Sequence, residues 1–224
     1  MRPHILMIVL GLLATGTAGP AAAQETSRTR ARETLPATVF AQVEAMARVA
    51  EQDGIPGDIL FNKALEGAAK HVPADRLVPA VQAYAGRLQE ARSAFGSGAG
   101  GPLLVAGADA LQRGVRASLL KGLGSGGERS PAAVLVLADL VQAGVADDQA
   151  LSLVREAMRR RTREQQMLDM PAEVRRLMRQ GQSMQQAVEQ VRQRLQSGRG
   201  GGVMAPVAPG SEPMTRARSG NGGG

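Results

Sequence analysis

Apolar residues recur at helical spacing along most of this chain, and no stretch alternates apolar and polar residues as a half-buried strand does. The first apolar face follows Pro36 and ends before Gly54. Its members are Val39, Phe40, Val43, Met46, Ala47 and Ala50. The pattern predicts an all-α protein.

Glycines and prolines indicate where each helix ends and the next begins. Within the run after Pro73, Pro79 is expected to kink the helix or delay its start. Ser183 and Gln186 fit a capping box for the last helix. The predicted helices cover Pro36 to Gly54, Asp58 to His71, the run after Pro73, Leu103 to Arg113, a short helix after it, Ala132 to Ala143, Asp147 to about Gln166, Pro171 to Gly181, and Ser183 to about Leu195.

One local pattern recurs along the chain, in which a helix stops, a small residue follows, and a new helix starts within three residues. The instances begin at Gly54, His71, Gly114, Gly144 and, more loosely, Gly181, and the last four are separated by 43, 30 and 37 residues. This predicts an irregular array of helical hairpins, consistent with short α-solenoid-like repeats. The alternative, that any helical protein with glycine stops and proline starts looks alike, stays open. No family is identified by these residues.

The first 23 residues have the features of a secretory signal peptide. Arg2 supplies a positive charge, residues 5–13 are apolar, and Ala21 to Ala23 offer a cleavage site. The apolar run is too short to span the ~30 Å hydrocarbon core of a membrane. We therefore expect cleavage near Ala23 and a periplasmic or extracellular protein that begins at Gln24.

The remaining chain divides into three predicted parts. Residues 24–35 are polar and are expected to form a flexible lead-in, and residues 36–195 form the helical domain. Residues 196–224 are rich in glycine and proline and are expected to be disordered. Two glycine-rich segments, 96–101 and 122–127, predict flexible breaks within the helical domain.

Composition restricts the core and the partners. The 224 residues include three Phe, one Tyr and no Trp, so Leu, Val, Ala and Met must form the core. The absence of cysteine means that an exported protein of this sequence is stabilised by packing alone. The net charge is +7, which favours anionic partners. Nucleic acid is disfavoured because export and the scarcity of aromatic residues both argue against it.

The sequence indicates no catalytic, cofactor-binding or metal site. The glycine spacing of dinucleotide-binding loops occurs at 96–101 and 122–127, but predicted helices rather than strands precede both segments. His71 is the only histidine beyond the signal peptide, and its predicted helix-end position suits a capping or surface role. Methionines at 158–184 could bind Cu(I), but core filling is favoured because no His or Cys lies near them.

Arginines are concentrated in the last third of the chain. Arg155, Arg159 and Arg163 follow one another at intervals of four and would form one stripe on a continuous helix. This stripe is the candidate anion-binding site. The alternative is a solvated helix face on which Glu156 pairs with Arg160.

No biochemical activity follows from the sequence. The favoured interpretation is an exported, non-catalytic helical scaffold that binds an unknown protein in the cell envelope. The alternative is an electrostatic binder of anionic envelope polymers or membrane surfaces through the arginine-rich helix. An enzyme is the least favoured class, and the oligomeric state is left open.

Overall fold

A computed structural model describes residues 20–124 and 130–197, with side chains from Ser27 onward. The described part contains ten helices and no strand, which confirms the all-α class. Most of the predicted signal peptide, residues 125–129 and the tail from residue 198 lie outside the described residues. The helices are α1 (Pro20–Thr34), α2 (Ala37–Gln52), α3 (Asp58–Ala69), α4 (Ala74–Phe95), α5 (Gly101–Gln112), α6 (Ala117–Gly124), α7 (Pro131–Gln142), α8 (Asp147–Arg159), α9 (Glu164–Arg179) and α10 (Met184–Gln196).

Each helix packs against helices one or two positions away in the chain. α4 contacts α5 and α6, α5 contacts α7, α7 contacts α8 and α9, and α10 contacts α8 and α9. Within the described ranges, no substantial contact joins helices that are further apart in order. Such nearest-neighbour packing is typical of stacked helical hairpins, and it agrees with the predicted hairpin array.

Six helix-to-helix connections share one turn geometry. In each, a residue with positive φ follows the helix: Gly54, His71, Gly114, Gly144, Arg161 and Gly181. At Gly144 the amide donates to the carbonyl oxygen of Val141 at 2.9 Å, and the next amide donates to Leu140 at 3.0 Å. These two bonds satisfy carbonyl groups that a helix end otherwise leaves unpaired.

The residue after the turn anchors it to the core. Ile55, Val115 and Val145 occupy this position and are 1%, 3% and 3% exposed. Because the next helix begins within three or four residues of the left-handed one, the chain reverses at nearly the same place each time.

The predicted bounds of two helices near residue 160 are wrong. The sequence predicts one helix from Asp147 to about residue 166 and another opened by Pro171, whereas α8 ends at Arg159 and α9 contains Pro171 in its interior. The stop is Arg161, which adopts a φ of 51° although it is not glycine. Across Pro171 the apolar face of α9 continues from Met170 to Val174 and stays buried, and this burial offsets the cost of a proline inside a helix.

The prediction of a flexible lead-in over residues 24–35 is also wrong, because α1 occupies most of that segment. Ser27 Oγ donates to Asn62 Oδ1 at 3.0 Å. The guanidinium of Arg28 lies 5.3 Å from the centre of the Phe61 ring, and Leu35 is buried. α1 is strongly polar, so contacts with α3 hold it in place, and a reading of its own residues does not reveal them.

The other predicted irregularities have specific outcomes. Pro79 lies within α4 and does not delay its start at Ala74. In the first glycine-rich segment, Arg92 Nη1 donates to the carbonyl oxygens of Ser97 at 2.8 Å and Ala99 at 3.3 Å. Residues 122–124 of the second segment belong to α6. The flexibility of both segments stays a prediction.

The packing of α4 against α5 predicts opposite effects for two glycine-to-alanine substitutions. A Cβ at Gly107 would lie 2.7 Å from the Phe95 ring and 2.8 Å from the Ala91 methyl group. Gly107→Ala should therefore lower the free energy of unfolding by about 1–3 kcal/mol. Gly86, on the exposed side of α4, meets nothing within 4 Å, so Gly86→Ala should raise it by about 0.5–1 kcal/mol. Urea unfolding followed by circular dichroism measures both, and equal effects would contradict the close contact.

The turn geometry predicts that glycine stabilises the two positions where another residue is left-handed. Arg161→Gly and His71→Gly should each raise the free energy of unfolding by about 1 kcal/mol, because a side chain disfavours positive φ. Gly144→Ala should lower it by about 1–2 kcal/mol, since its new Cβ makes only an ordinary 3.7 Å contact with Met184. Chemical denaturation checks all three. A loss of stability in Arg161→Gly would mean that the turn at 161 does not form.

Candidate functional site

The three arginines of the predicted stripe do not share one helix. Arg155 and Arg159 lie on α8, whereas Arg163 follows the turn and precedes the first residue of α9. The predicted single-helix geometry is therefore wrong. Their role in binding an anion stays a prediction.

Arg155 is engaged within the protein. It is half-buried, and its Nε donates to the carbonyl oxygen of Gly122 at 3.2 Å. Because Gly122 lies in the last turn of α6, this bond places the C-terminal ends of α6 and α8 at the same edge of the array. Arg159 and Arg163 are exposed.

Glu156 joins α8 to α10 near the same edge. Its carboxylate accepts hydrogen bonds from Arg160 Nε at 3.1 Å and Gln196 Nε2 at 3.2 Å, and Arg192 Nε lies 3.7 Å away. The side chain is only 13% exposed. Burial by itself raises the pKa of Glu156, but the hydrogen bonds from Arg160 and Gln196 and the two arginine charges outweigh it and lower the pKa below its ordinary value. The predicted Arg160 pairing is confirmed, whereas the contacts with α10 could not be read from spacing.

Glu173 has the corresponding role between α9 and α10. Arg176 forms a two-pronged bond to it, with nitrogen–oxygen distances of 2.8 and 2.7 Å, and Arg194 of α10 forms a further ion pair. Two guanidinium groups around one partly buried carboxylate form a structural contact rather than a ligand site.

Three arginines remain around the turn between α8 and α9. We name residues 159–163 the arginine turn. Arg159, Arg161 and Arg163 are exposed, and none forms an ion pair with another side chain in the described part of the chain. Arg161 was absent from the predicted stripe. The density of arginine in this stretch is the only sequence signal that pointed to it.

A second surface lies on α5 and α7. Both helices are buried except for one narrow strip, which carries chemically matching residues 30 positions apart. We name it the outer stripe; its members are Val105, Asp109 and Gln112 on α5 and Leu135, Asp139 and Gln142 on α7.

Arginine side chains link the outer stripe across helices. Arg113 Nη2 donates to Gln142 Oε1 at 2.7 Å and forms an ion pair with Asp139. Arg87 of α4 donates to Gln112 at 3.2 Å. These bonds occupy the polar members of the stripe, whereas Leu135 keeps 39% of its surface exposed.

The other candidate groups have ordinary surroundings. His71 is exposed at the end of α3, where a helix-end role was expected. Met167 and Met170 are buried in the core, as the core interpretation predicts, but Met178 is 38% exposed. Across residues 27–124 and 130–197, no group of three or more His, Cys, Asp and Glu side chains is placed to hold a metal ion.

α10 closes the C-terminal end of the described array with a polar face. A shallow depression on it is lined by amide and carboxylate groups, and a polar outer face is typical of the last helix in a stacked array. Its lining consists of Gln182, Gln185, Gln186, Glu189, Gln190 and Gln193.

The fold and these surfaces define an all-helical hairpin array with an arginine-rich edge. No protein family, curated protein or solved structure was found to match the chain. None of the described helices combines the length and the apolar character that a membrane span requires.

The environment of Glu156 predicts a pH-dependent loss of stability. Its pKa is lower in the folded protein than in the unfolded chain, so its ionised form stabilises the fold above the unfolded pKa of about 4.3. That contribution is lost as the pH falls through the folded value. At pH ~7, Glu156→Gln should lower the free energy of unfolding by about 1.5–3 kcal/mol, because it weakens charged hydrogen bonds.

Glu90→Gln is the matched control, because Glu90 is exposed on α4 and has no ion pair among the residues that the structure describes. It should change stability by less than about 0.5 kcal/mol. Urea unfolding at several pH values measures both variants. A wild-type advantage over Glu156→Gln that persists unchanged at pH ~3 would contradict the proposed ionisation.

Proposed function

We propose that this chain is an exported, non-catalytic helical scaffold that binds another protein of the cell envelope. Stacked helices that contact only near neighbours present long surfaces relative to their core, and proteins of this architecture commonly use such surfaces for binding.

The observation that carries the proposal is the exposure of Leu135. α7 is buried on nearly every side, yet this leucine, 39% exposed, points outward beside the matching position Val105 of α5. Arg113 ties the flanking Asp139 and Gln142 in place. A fixed apolar side chain with a polar rim is the usual composition of a protein-binding surface.

Export is supported by the placement of α1. The described contacts of this helix begin at Ser27 and continue to Leu35, all beyond the predicted cleavage site after Ala23. Removal of residues 1–23 would therefore leave these docking contacts in the mature chain.

The test uses a photo-crosslinking amino acid at position 135 in protein produced by the native host. We expect a discrete adduct with one envelope protein, in material whose N-terminus is Gln24. The control position is Gln82, exposed on α4, which should yield no such adduct. Leu135→Asp should reduce recovery of the same partner about tenfold or more, because it places a charge in a desolvated contact.

Two results would contradict the proposal. Equal adducts from positions 135 and 82 would show that the outer stripe is not the binding surface. A protein that starts at Met1 and stays in the cytoplasm would exclude export.

A further inference from the structure

We propose that the arginine turn docks the protein onto an anionic phospholipid surface, with lipid phosphate groups bound by Arg159, Arg161 and Arg163. This inference goes beyond the scaffold function and concerns a different surface from the outer stripe.

The turn brings three guanidinium groups to one projecting tip. Five consecutive residues span no more than about 15 Å even when extended, because neighbouring Cα atoms are about 3.8 Å apart. Here the chain also reverses, since Thr162 N donates to Ala157 O and Met167 N donates to Arg163 O, both at 3.0 Å. Separate sequence positions thus act as a single cluster of charge.

The cluster is distinguished from the other arginines of α8–α10 by its lack of internal anions. Arg160 and Arg192 pair with Glu156, and Arg176 and Arg194 pair with Glu173. No carboxylate in the described residues pairs with the three arginines of the tip. Glu164 follows them directly and supplies one negative charge against three positive charges. Arginine binds phosphate oxygens in a two-pronged geometry, so phosphate is the ligand that this tip fits.

The surroundings favour a surface rather than a single small anion. The bond from Arg155 to Gly122 places the end of α6, with the exposed Lys121, at the same edge, and the bond from Gln196 to Glu156 adds the end of α10. These helix ends form a broad edge that matches a layer of phosphate groups. Nucleic acid fits less well, because the last aromatic residue is Phe95, far from this edge in the chain, and bases need stacking partners.

Arg161 adds an independent observation. Four of the six left-handed turn positions are glycine, yet this one carries a charged side chain at a φ of 51°. Local backbone preference opposes arginine there, so the residue is explained by its charge rather than by the turn. The same fact provides a useful variant, because glycine at 161 removes the charge and suits the turn.

The experiment measures co-sedimentation of the purified mature protein with vesicles. The test vesicles contain about 30% phosphatidylglycerol in phosphatidylcholine, and pure phosphatidylcholine vesicles are the reference. The test variant combines Arg159→Gln, Arg161→Gly and Arg163→Gln. The matched control combines Arg76→Gln, Arg175→Gln and Arg179→Gln, which removes the same charge from exposed arginines that have no described ion pair.

We expect wild type to bind the anionic vesicles in ~0.05 M salt and to be released in ~0.5 M salt, because exposed charges are screened. The test variant should bind about a hundredfold more weakly, and the control less than about fivefold more weakly. Inorganic phosphate at ~10 mM should leave vesicle binding largely intact, which separates a lipid surface from a free-phosphate site.

Several results would overturn the inference. These are failure of wild type to sediment with anionic vesicles at low salt, equal losses in the two triple variants, or displacement by inorganic phosphate. Binding to an anionic polysaccharide or to DNA more than about tenfold tighter than to the vesicles would assign the tip to another polymer. Circular dichroism of each variant excludes unfolding as the cause of a loss.

Discussion

The constraint on which the rest of the structure depends is the turn that ends a helix on a left-handed residue. Two backbone hydrogen bonds close it, and the next helix starts within a few residues, so the chain reverses at a defined point. The buried residue that follows, such as Val115 or Val145, anchors the turn in the core. Repetition of this turn makes helices two positions apart neighbours and produces the array.

Charge has two different roles in the C-terminal helices. Where a carboxylate is partly buried, as at Glu156 and Glu173, arginines from a second helix surround it and join the helices together. Where no carboxylate is available, at the arginine turn, the charges stay in solvent. The excess of arginine over acidic residues therefore becomes local, and it is concentrated where α8 meets α9.

The two proposals concern opposite ends of the array. The turn at Gly144 places the C-terminal end of α7 beside the start of α8, whereas the arginine turn follows the end of α8. A protein docked through the arginine turn would hold the Gln142 end of the outer stripe away from the lipid. Membrane docking and partner binding are therefore compatible in one molecule.

The sequence by itself determined the helical class and most helix bounds, because glycine stops, proline starts and the Ser183–Gln186 capping box act through local backbone chemistry. The tertiary structure alone decided the features that depend on distant partners. The helical state of α1 rests on Asn62 and Phe61, more than thirty residues away. The stop at Arg161 has no local signal, because arginine does not itself favour positive φ. Which arginines are neutralised also depends on tertiary structure, because α10 approaches Glu156 and Glu173 only after the helices pack.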